Sequence, residues 1–267
     1  MKELQGKLAV VTGAASGIGR ALAVNLANEG CNLALSDVNE QGLAETQTLC
    51  TSDVEIATHI VNVADKDAVY QYAETIKHEH GGASIIFNNA GVAARQTVED
   101  IDYEDFEWVI NTNMWGVVYF TKAFLPQLRD QPDAHIVNIS SINAMIPFPR
   151  NAPYNMAKYA VLAFSETLIQ ELESTSIRVS SVHPGGIKTS IASNSRHVSD
   201  KAADSFNKIA MTSPDKAAKI MIKGVKRNKE KIFVGQDAQF MQLLKRAFPQ
   251  MAIHLPNKLM KNTLDGS

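Results

Sequence analysis

The chain has 267 residues, of which 45% are hydrophobic and 20% are charged. These proportions are those of an ordinary globular protein and exclude a disordered or fibrous chain, and the length suits a single domain over 1–267. The formal net charge of −2, with no zinc-finger spacing and no basic stripe, argues against nucleic acid as a partner.

Seven short runs of aliphatic and β-branched residues alternate with helical patterns. The predicted strands are 8–11, 32–36, 55–61, 84–87, 135–139, 178–182 and 231–234. The predicted helices are 17–29, 40–50, 66–79, 103–128, 154–173 and 214–227. We expect Pro126 to bend or shorten the fourth helix. The alternation predicts right-handed βαβ crossovers and therefore an α/β fold, a doubly wound parallel sheet of about seven strands with helices on both faces.

A glycine-rich turn, ThrGlyAlaAlaSerGlyIleGly at 12–19, joins the first predicted strand to the first predicted helix. Gly13, Gly17 and Gly19 allow a tight turn and a close approach of the backbone to a pyrophosphate, which the amides of the helix N-terminus would bind. Three glycines at these offsets are a weak signal alone. A strand before the turn, a helix after it and an acid ending the second strand make it a candidate dinucleotide site.

Asp37 is that acid. Its carboxylate can accept hydrogen bonds from the ribose hydroxyls of NAD and would repel the 2′-phosphate of NADP. Neither of the two residues that follow it is basic, nor is Ser16 in the glycine turn, so we expect NAD rather than NADP. Two points stay open, because Asp37 can instead cap a turn and because the basic Arg20 lies directly after the glycine motif.

Further motifs occur in an order that resembles the short-chain dehydrogenase/reductase family over about 5–235. The matching residues are the glycine turn, AsnAsnAlaGly at 88–91, Asn113, Ser141, Tyr154, Lys158 and ProGlyGlyIleLysThr at 184–189. The resemblance implies a Rossmann-type domain that moves hydride between a nicotinamide and a carbonyl or alcohol carbon. We expect a nucleotide-binding part over about 5–140, a catalytic and substrate part over about 141–235 that includes a lid at about 186–212, and a C-terminal extension over about 236–267.

Tyr154 and Lys158 lie one helical turn apart, and their chemistry suits proton transfer. Oxidising an alcohol removes hydride from carbon and a proton from oxygen, so the site needs a base beside the hydride acceptor. A free tyrosine titrates near pH 10, so a cation has to favour the phenolate, and Lys158 is placed to provide it. Ser141 can hydrogen-bond the substrate oxygen, with Ser140 as the alternative hydroxyl. The resemblance implies that Asn113 holds a water in a proton relay to Lys158.

The expected cofactor contacts extend beyond the glycine turn. They are Gly13, Ser16, Gly17, Ile18, Gly19, Asp37, Asn62, Val63, Asn89, Ala90, Gly91, Tyr154, Lys158, Pro184, Gly185, Ile187 and Thr189. Ile187 and Thr189 fall where the resemblance places the nicotinamide carboxamide, although a simple turn after Pro184 is the alternative. Asn62 stands where family members usually carry Asp, so it keeps an acceptor for the adenine amino group but removes a charge.

The segment before Tyr154 indicates the substrate class. Met145, Ile146 and Phe148 would form an apolar wall beside the reacting carbon, which favours a small hydrophobic alcohol or carbonyl compound over a sugar. The alternative is that these side chains pack the loop or a subunit contact. The polar segment 186–212 is either a mobile lid over this pocket or a surface excursion.

The C-terminal extension contains no Asp or Glu over 238–264 and is rich in apolar residues. It suits a peripheral membrane contact, a lid for a lipid-like substrate or, as the preferred interpretation, packing within an oligomer. We expect Pro249 and Pro256 to break it into short pieces. The resemblance implies a homotetramer or homodimer, with helices near 103–128 and 154–173 as candidate interfaces.

The sequence indicates a cytoplasmic location. No run approaches the roughly 18 apolar residues of a membrane span, and the apolar stretch at the N-terminus is shorter than a secretory signal. Cys31 and Cys50 offer neither a CxxC motif nor a disulfide framework, and we assign no metal site. The expected function is an NAD-dependent alcohol dehydrogenase or ketone reductase. A non-catalytic NAD sensor and a methyltransferase are the alternatives, and neither needs the Tyr/Lys pair.

Overall fold

The computed structural model describes residues 1–51, 53–189, 191, 195–199 and 210–264, and of 257–264 it describes the backbone. Within this part of the chain, seven parallel strands form one sheet. They are β1 (Leu8–Thr12), β2 (Asn32–Asp37), β3 (Ile56–Ile60), β4 (Ile85–Asn88), β5 (Ala134–Ile139), β6 (Ile177–Pro184) and β7 (Lys231–Val234). Their order across the sheet is β3-β2-β1-β4-β5-β6-β7. The order reverses between β1 and β4, and open sheets of this kind bind ligands beyond the carboxyl ends of the strands at such a point.

Helices connect the strands and cover the sheet. They are α1 (Gly17–Asn28), α2 (Glu40–Leu49), α3 (Lys66–His80), α4 (Tyr103–Ile110), α5 (Gly116–Arg129), α6 (Ala152–Glu171), α7 (Pro214–Lys226), α8 (Gln236–Ala247) and α9 (Pro249–Leu264). A π-helical turn, Asn111–Trp115, joins α4 to α5, so the helix expected over 103–128 consists of two α-helices with a wider turn between them.

The core lies in two layers, one on each face of the sheet. Consecutive residues of β1 point to opposite faces, so Val10 packs in the layer formed with α3, α5 and α6, and Val11 packs in the layer formed with α1, α2 and α7. Both residues are fully buried. This arrangement confirms the doubly wound fold.

Two prolines lie inside helices that continue past them. Pro126 lies inside α5, which continues to Arg129, and Pro256 lies inside α9. In α5, Phe124 and Leu128 are fully buried on either side of the proline, and this packing outweighs the loss of one N–H donor. The expectation that prolines break the C-terminal extension is confirmed at Pro249, which separates α8 from α9, and is wrong at Pro256, because α9 runs through it over 16 residues.

The expected lid lies partly outside the described residues, at 190, 192–194 and 200–209. Its described ends are held to the body of the fold. Ile187 pairs with Thr212 in a parallel bridge, and Arg196 pairs with Ala94. Across the described residues, no helix is both long enough and apolar enough to cross a bilayer.

Candidate active site

The glycine turn between β1 and α1 leaves no room for larger side chains. Gly13 has a φ of +66°, and a Cβ on it would lie 2.8 Å from the Cα of Ala90. A Cβ on Gly19 would lie 2.0 Å from the Gly13 carbonyl oxygen. Asn89 closes the turn, since its side-chain amide donates hydrogen bonds to the carbonyl oxygens of Thr12 at 2.9 Å and Gly13 at 3.2 Å. The result is a bare backbone cradle of the kind that a pyrophosphate fits.

Asp37 lies at the edge of this cradle. One carboxylate oxygen accepts a hydrogen bond from the Ala15 amide at 3.0 Å, and the other accepts from the Asn39 amide at 3.0 Å. The carboxylate therefore does cap the turn after β2, as the alternative interpretation held. It also contacts the glycine turn, where the ribose of a dinucleotide would lie.

Arg20, which left the choice between NAD and NADP open, is engaged within the protein. Its guanidinium donates hydrogen bonds to Glu45 at 2.8 Å, to Thr46 at 3.0 Å and to the carbonyl oxygens of Ala15 and Gly42. These bonds tie α1 to α2. The positive charge is paired with the Glu45 carboxylate at the protein surface.

On the adenine side, Asn62 is exposed, and its side-chain oxygen accepts a hydrogen bond from the Ala64 amide at 3.0 Å. The side-chain oxygen of Asn62, which we expect to accept a hydrogen bond from adenine, thus also caps a local turn. Val63 is buried against Gly116, where a Cβ would lie 2.8 Å from a methyl group of Val63. Ile18, in the first turn of α1, packs against the core.

The loop after β6 reaches over the glycine turn. Pro184 ends the strand, and Ile187 is buried in the core layer next to α7. A Cβ on Gly17 would lie 3.4 Å from the Cβ of Thr189, so the two loops face each other closely. A cleft of about 680 Å³ runs beside them, and its lining includes Ser16, Gly17, Lys188 and Thr189.

Asp237, at the start of α8, holds this loop, and no sequence motif marks this residue. Its carboxylate accepts a hydrogen bond from the Gly186 amide at 2.6 Å. A Cβ on Gly185 would lie 2.1 Å from the same carboxylate oxygen. Glycine at 185 therefore lets the C-terminal extension contact the loop expected to bind nicotinamide.

Lys158 is buried and fixed. Its ammonium donates a hydrogen bond to the Ile139 carbonyl oxygen at 2.9 Å and lies 5.4 Å from the centre of the Tyr154 ring. Burial lowers the pKa of Lys158 to about 8. Most of the lysine therefore stays protonated near pH 7, and an anionic neighbour would favour the charged form further.

Burial raises the pKa of Tyr154 above its ordinary value. Two neighbours oppose burial and favour the phenolate: a hydrogen bond from Ser141 and the positive charge of Arg95. Arg95 follows the AsnAsnAlaGly motif by four positions and was missed in the sequence analysis. No motif marks it, because only the tertiary fold brings that loop to α6.

The two adjacent serines after β5 form different hydrogen bonds. The Ser140 hydroxyl donates to the Lys158 carbonyl oxygen at 2.8 Å and so anchors α6 to the strand. Ser141 accepts a hydrogen bond from the Asn143 amide at 3.1 Å and donates one to the Asn143 side-chain oxygen at 3.4 Å, and its hydroxyl lowers the pKa of Tyr154. Of the two serines, Ser141 is thus the one that influences Tyr154, and its contact with a substrate oxygen stays a prediction.

Asn113 lies in the π-helical turn and is fully buried. Its side chain accepts from the Val92 amide and donates to the Val92 carbonyl oxygen, both at 2.8 Å. A Cβ on Gly91 would lie 3.2 Å from the Asn113 side-chain oxygen and 3.7 Å from the Lys158 nitrogen. The side chains of Asn113 and Lys158 therefore both lie close to Gly91, beyond the carboxyl end of β4.

The loop between β5 and α6 is tied to α6. Tyr159 donates a hydrogen bond to the Met145 carbonyl oxygen at 2.8 Å, and Asn155 donates to the Phe148 carbonyl oxygen at 2.7 Å. Met145 and Phe148 are half-buried, whereas Ile146 is fully buried. Of the three residues expected to form an apolar wall, Ile146 thus packs the loop itself.

A cluster around α4 holds the described part of the 186–212 segment. The buried Asp105 forms ion pairs with Arg196 and His197, and the Arg196 guanidinium lies 4.0 Å from the centre of the Trp108 ring. The hydrogen bond from Arg196, more than that from His197, holds the pKa of Asp105 below its usual range. The Arg95 amide donates to the Arg196 carbonyl oxygen at 3.1 Å, so the cluster also fixes the loop that carries Arg95.

Comparisons with known proteins agree with this geometry. The sequence profile of the short chain dehydrogenase family matches residues 7–200. The chain is 39% identical over 254 residues to a protein described as oxidoreductase SadH from Mycobacterium tuberculosis, with 92% of each chain covered. It is 32% identical over 247 residues to oxidoreductase BOA17 from Botryotinia fuckeliana, with 87% of this chain and 90% of that one covered.

Among solved structures, the chain is similar to a short chain dehydrogenase/reductase from Burkholderia phymatum in complex with NAD, with a TM-score of 0.85 and 28% identity. The similarity covers 94% of this chain and 96% of that one. The chain therefore belongs to the short chain dehydrogenase family of oxidoreductases.

Proposed function

We propose that the protein transfers hydride between NAD(H) and a hydrophobic secondary alcohol, its ketone or an aldehyde, with Tyr154 as acid and base. One observation carries this proposal: the Ser141 hydroxyl lowers the pKa of the Tyr154 phenol, and the nitrogen of Lys158 lies 5.4 Å from the centre of the same ring. Ser141 lies just after β5. Tyr154 and Lys158 lie in the first turns of α6, which begins after the loop that follows Ser141. A carbonyl oxygen between the serine and the tyrosine would meet two hydroxyl donors.

The residues around the glycine turn fit a nicotinamide dinucleotide. Gly13 and Gly19 form a cradle that any Cβ would fill, and the Asp37 carboxylate lies beside it. We infer NAD rather than NADP because Asp37 would face the 2′-phosphate, while the nearby charge of Arg20 is paired with Glu45. When bound, this cofactor supplies the hydride acceptor for oxidation and the hydride donor for reduction.

The protein's own residues would manage the proton. In oxidation, Tyr154 takes the hydroxyl proton of the alcohol, and in reduction it returns a proton to the carbonyl oxygen. Ser141 donates a hydrogen bond to the same oxygen as charge develops on it. Lys158 and Arg95 would stabilise the phenolate through their positive charges, and Asn113 would keep Lys158 in position from the other side of Gly91.

The substrate class follows from the loop after Ser141. Met145 and Phe148 are half-buried beside the catalytic residues and offer apolar surface to the reacting molecule. Hydrogen bonds from Tyr159 and Asn155 to the backbone of these two residues hold that surface in place. We therefore propose hydrophobic alcohols and ketones as substrates.

The test replaces Tyr154 by Phe and measures two properties. We expect turnover with both nicotinamides to be lost across a panel of aliphatic, steroid, retinoid and hydroxyacyl compounds, while NADH still binds, as followed by its fluorescence. Tyr70→Phe, at an exposed tyrosine of α3, is the matched control and should keep full turnover. Full turnover in Tyr154→Phe would refute the assigned role. Tight NADH binding by a wild-type protein that converts no compound of the panel would instead favour a non-catalytic sensor.

We further propose that the protein forms a homodimer or homotetramer through α4, α5 and α6. Exposed aromatic and apolar side chains lie on α4, on α6 and in the π-helical turn, namely Tyr103, Met156, Tyr159 and Trp115. Such side chains are enriched at interfaces between subunits. Light scattering after size-exclusion chromatography would measure the mass, and a monomer at micromolar concentration would contradict the proposal.

A further inference from the structure

A group of three potential metal ligands lies at the edge of the sheet. His59 is in the edge strand β3, and Glu79 and His80 end α3. One ligand atom from each residue, two imidazole nitrogens and a carboxylate oxygen, lies within 4.8 Å of the others. Glu79 and His80 are adjacent in the chain, but His59 lies in a different element, and the three residues match no metal-binding motif.

Two of these atoms are buried without a hydrogen-bond partner in the described part of the chain. They are the Nε2 atoms of His59 and His80. Buried polar atoms in folded proteins nearly always have a partner, because an unsatisfied one costs the full free energy of its desolvation. Here two such nitrogens face each other, and the nearest carboxylate oxygen of Glu79 lies 4.0 Å from that of His80.

The surroundings hold the site in place. The His59 ring packs against Tyr72 with ring centres 4.9 Å apart, and Tyr72 in turn contacts Phe120 and Phe124 in the core. Glu79 is exposed, so its carboxylate can turn toward the histidines. The site therefore combines two half-buried histidines with one exposed carboxylate that can move.

We propose that His59, His80 and Glu79 bind a divalent transition-metal ion of the zinc class, with water as the fourth ligand. Two imidazoles and one carboxylate are a common ligand set for Zn²⁺, whereas Ca²⁺ and Mg²⁺ prefer oxygen ligands. Tetrahedral zinc with bonds of about 2.0–2.1 Å places its ligand atoms about 3.4 Å apart, so the three groups need to close by little more than 1 Å from 4.8 Å. The ion would link the end of α3 to the edge strand.

The test uses the full-length protein without a histidine tag and adds ZnCl₂ in a calorimetric titration. We expect one saturable site per chain and a rise in the melting temperature. Co²⁺ should give the intense visible absorption of a tetrahedral site. His80→Gln and Glu79→Gln should each weaken binding, the histidine change by about tenfold or more. His78→Gln, at an exposed histidine of the same helix turn, is the matched control and should bind as the wild type does.

His59→Gln is the second ligand variant, and circular dichroism would show whether it still folds, since His59 packs against Tyr72. The proposal fails if the wild type binds no Zn²⁺ at micromolar concentration, or if folded His80→Gln binds as tightly as His78→Gln does. Because the readout is binding and not turnover, the Tyr154→Phe protein should bind Zn²⁺ normally. The outcome is therefore independent of the proposed hydride transfer.

Discussion

The ammonium of Lys158 lies over the ring of Tyr154, 5.4 Å from its centre, and donates its hydrogen bond to the Ile139 carbonyl oxygen. The lysine thus faces the aromatic ring, while the groups that favour the phenolate directly are Ser141 and Arg95. Lys158 is held by the backbone of β5 and positioned where a ribose hydroxyl or a phenolate can reach it. From this position its positive charge would stabilise the phenolate together with Ser141 and Arg95.

Replacing Lys158 by Met should weaken both cofactor binding and catalysis. The change keeps most of the buried aliphatic volume but removes the nitrogen that bonds the Ile139 carbonyl oxygen. We expect kcat to fall by about 10²-fold or more, the scale of a lost acid-base contribution, together with weaker NADH binding. Steady-state kinetics and NADH fluorescence would measure the two effects. Lys122→Met, on the surface-facing part of α5, serves as the control, and an equal loss in that variant would assign the effect to general destabilisation.

Replacing Arg95 by Gln should shift the pH profile of alcohol oxidation. Oxidation needs the phenolate of Tyr154, and the charge of Arg95 favours that form. Without the charge the pKa of Tyr154 rises, so the increase of kcat/KM with pH should move to higher pH, and the rate at neutral pH should fall by about tenfold. Arg95→Lys keeps a positive charge and should fall between the wild type and the Gln variant.

The matched control for Arg95 is Arg150→Gln, because Arg150 is an exposed arginine of the loop before α6. Its pH profile should equal that of the wild type. Identical profiles for Arg95→Gln and Arg150→Gln would show that Arg95 has no influence on the tyrosine.

The strands and most helix limits could be predicted because periodicity and turn residues are local signals. The motif residues Ser141, Tyr154 and Lys158 also lie together, as their spacing indicated. Arg95 and Asp237 could not be found from the sequence, because each acts through a contact with a distant segment. The ion-pair cluster at Asp105 could not be predicted for the same reason. The π-helical turn inside 103–128 could not be predicted either, because it depends on packing that no sequence pattern records.

Replacing Asp37 by Asn should relax the choice between NAD and NADP. The amide keeps one oxygen that can accept the Ala15 amide but removes the negative charge that would repel a 2′-phosphate. We expect the ratio of kcat/KM for NAD to kcat/KM for NADP to fall by about tenfold or more, mainly through KM. Asp53→Asn, at an exposed aspartate outside the site, should leave the ratio unchanged. An unchanged ratio in Asp37→Asn would mean that other groups select the cofactor.

Two buried histidines should make the fold sensitive to acid. Burial lowers the pKa of His135 to about 3 and that of His183 to about 4, whereas a histidine in the unfolded chain titrates near 6.5. Their full contribution to stability is present above pH 6.5. Between about pH 6.5 and 4 the unfolded chain binds protons that the folded chain excludes, so the free energy of unfolding falls by about 1.4 kcal/mol per pH unit for each histidine.

Urea titrations at fixed protein concentration from pH 5 to 7 would measure how steeply the free energy of unfolding changes with pH. His183→Asn should reduce this slope by the equivalent of about one proton, whereas His78→Gln, at an exposed histidine, should leave it unchanged. Equal slopes in the wild type and both variants would show that His183 does not cause the acid sensitivity.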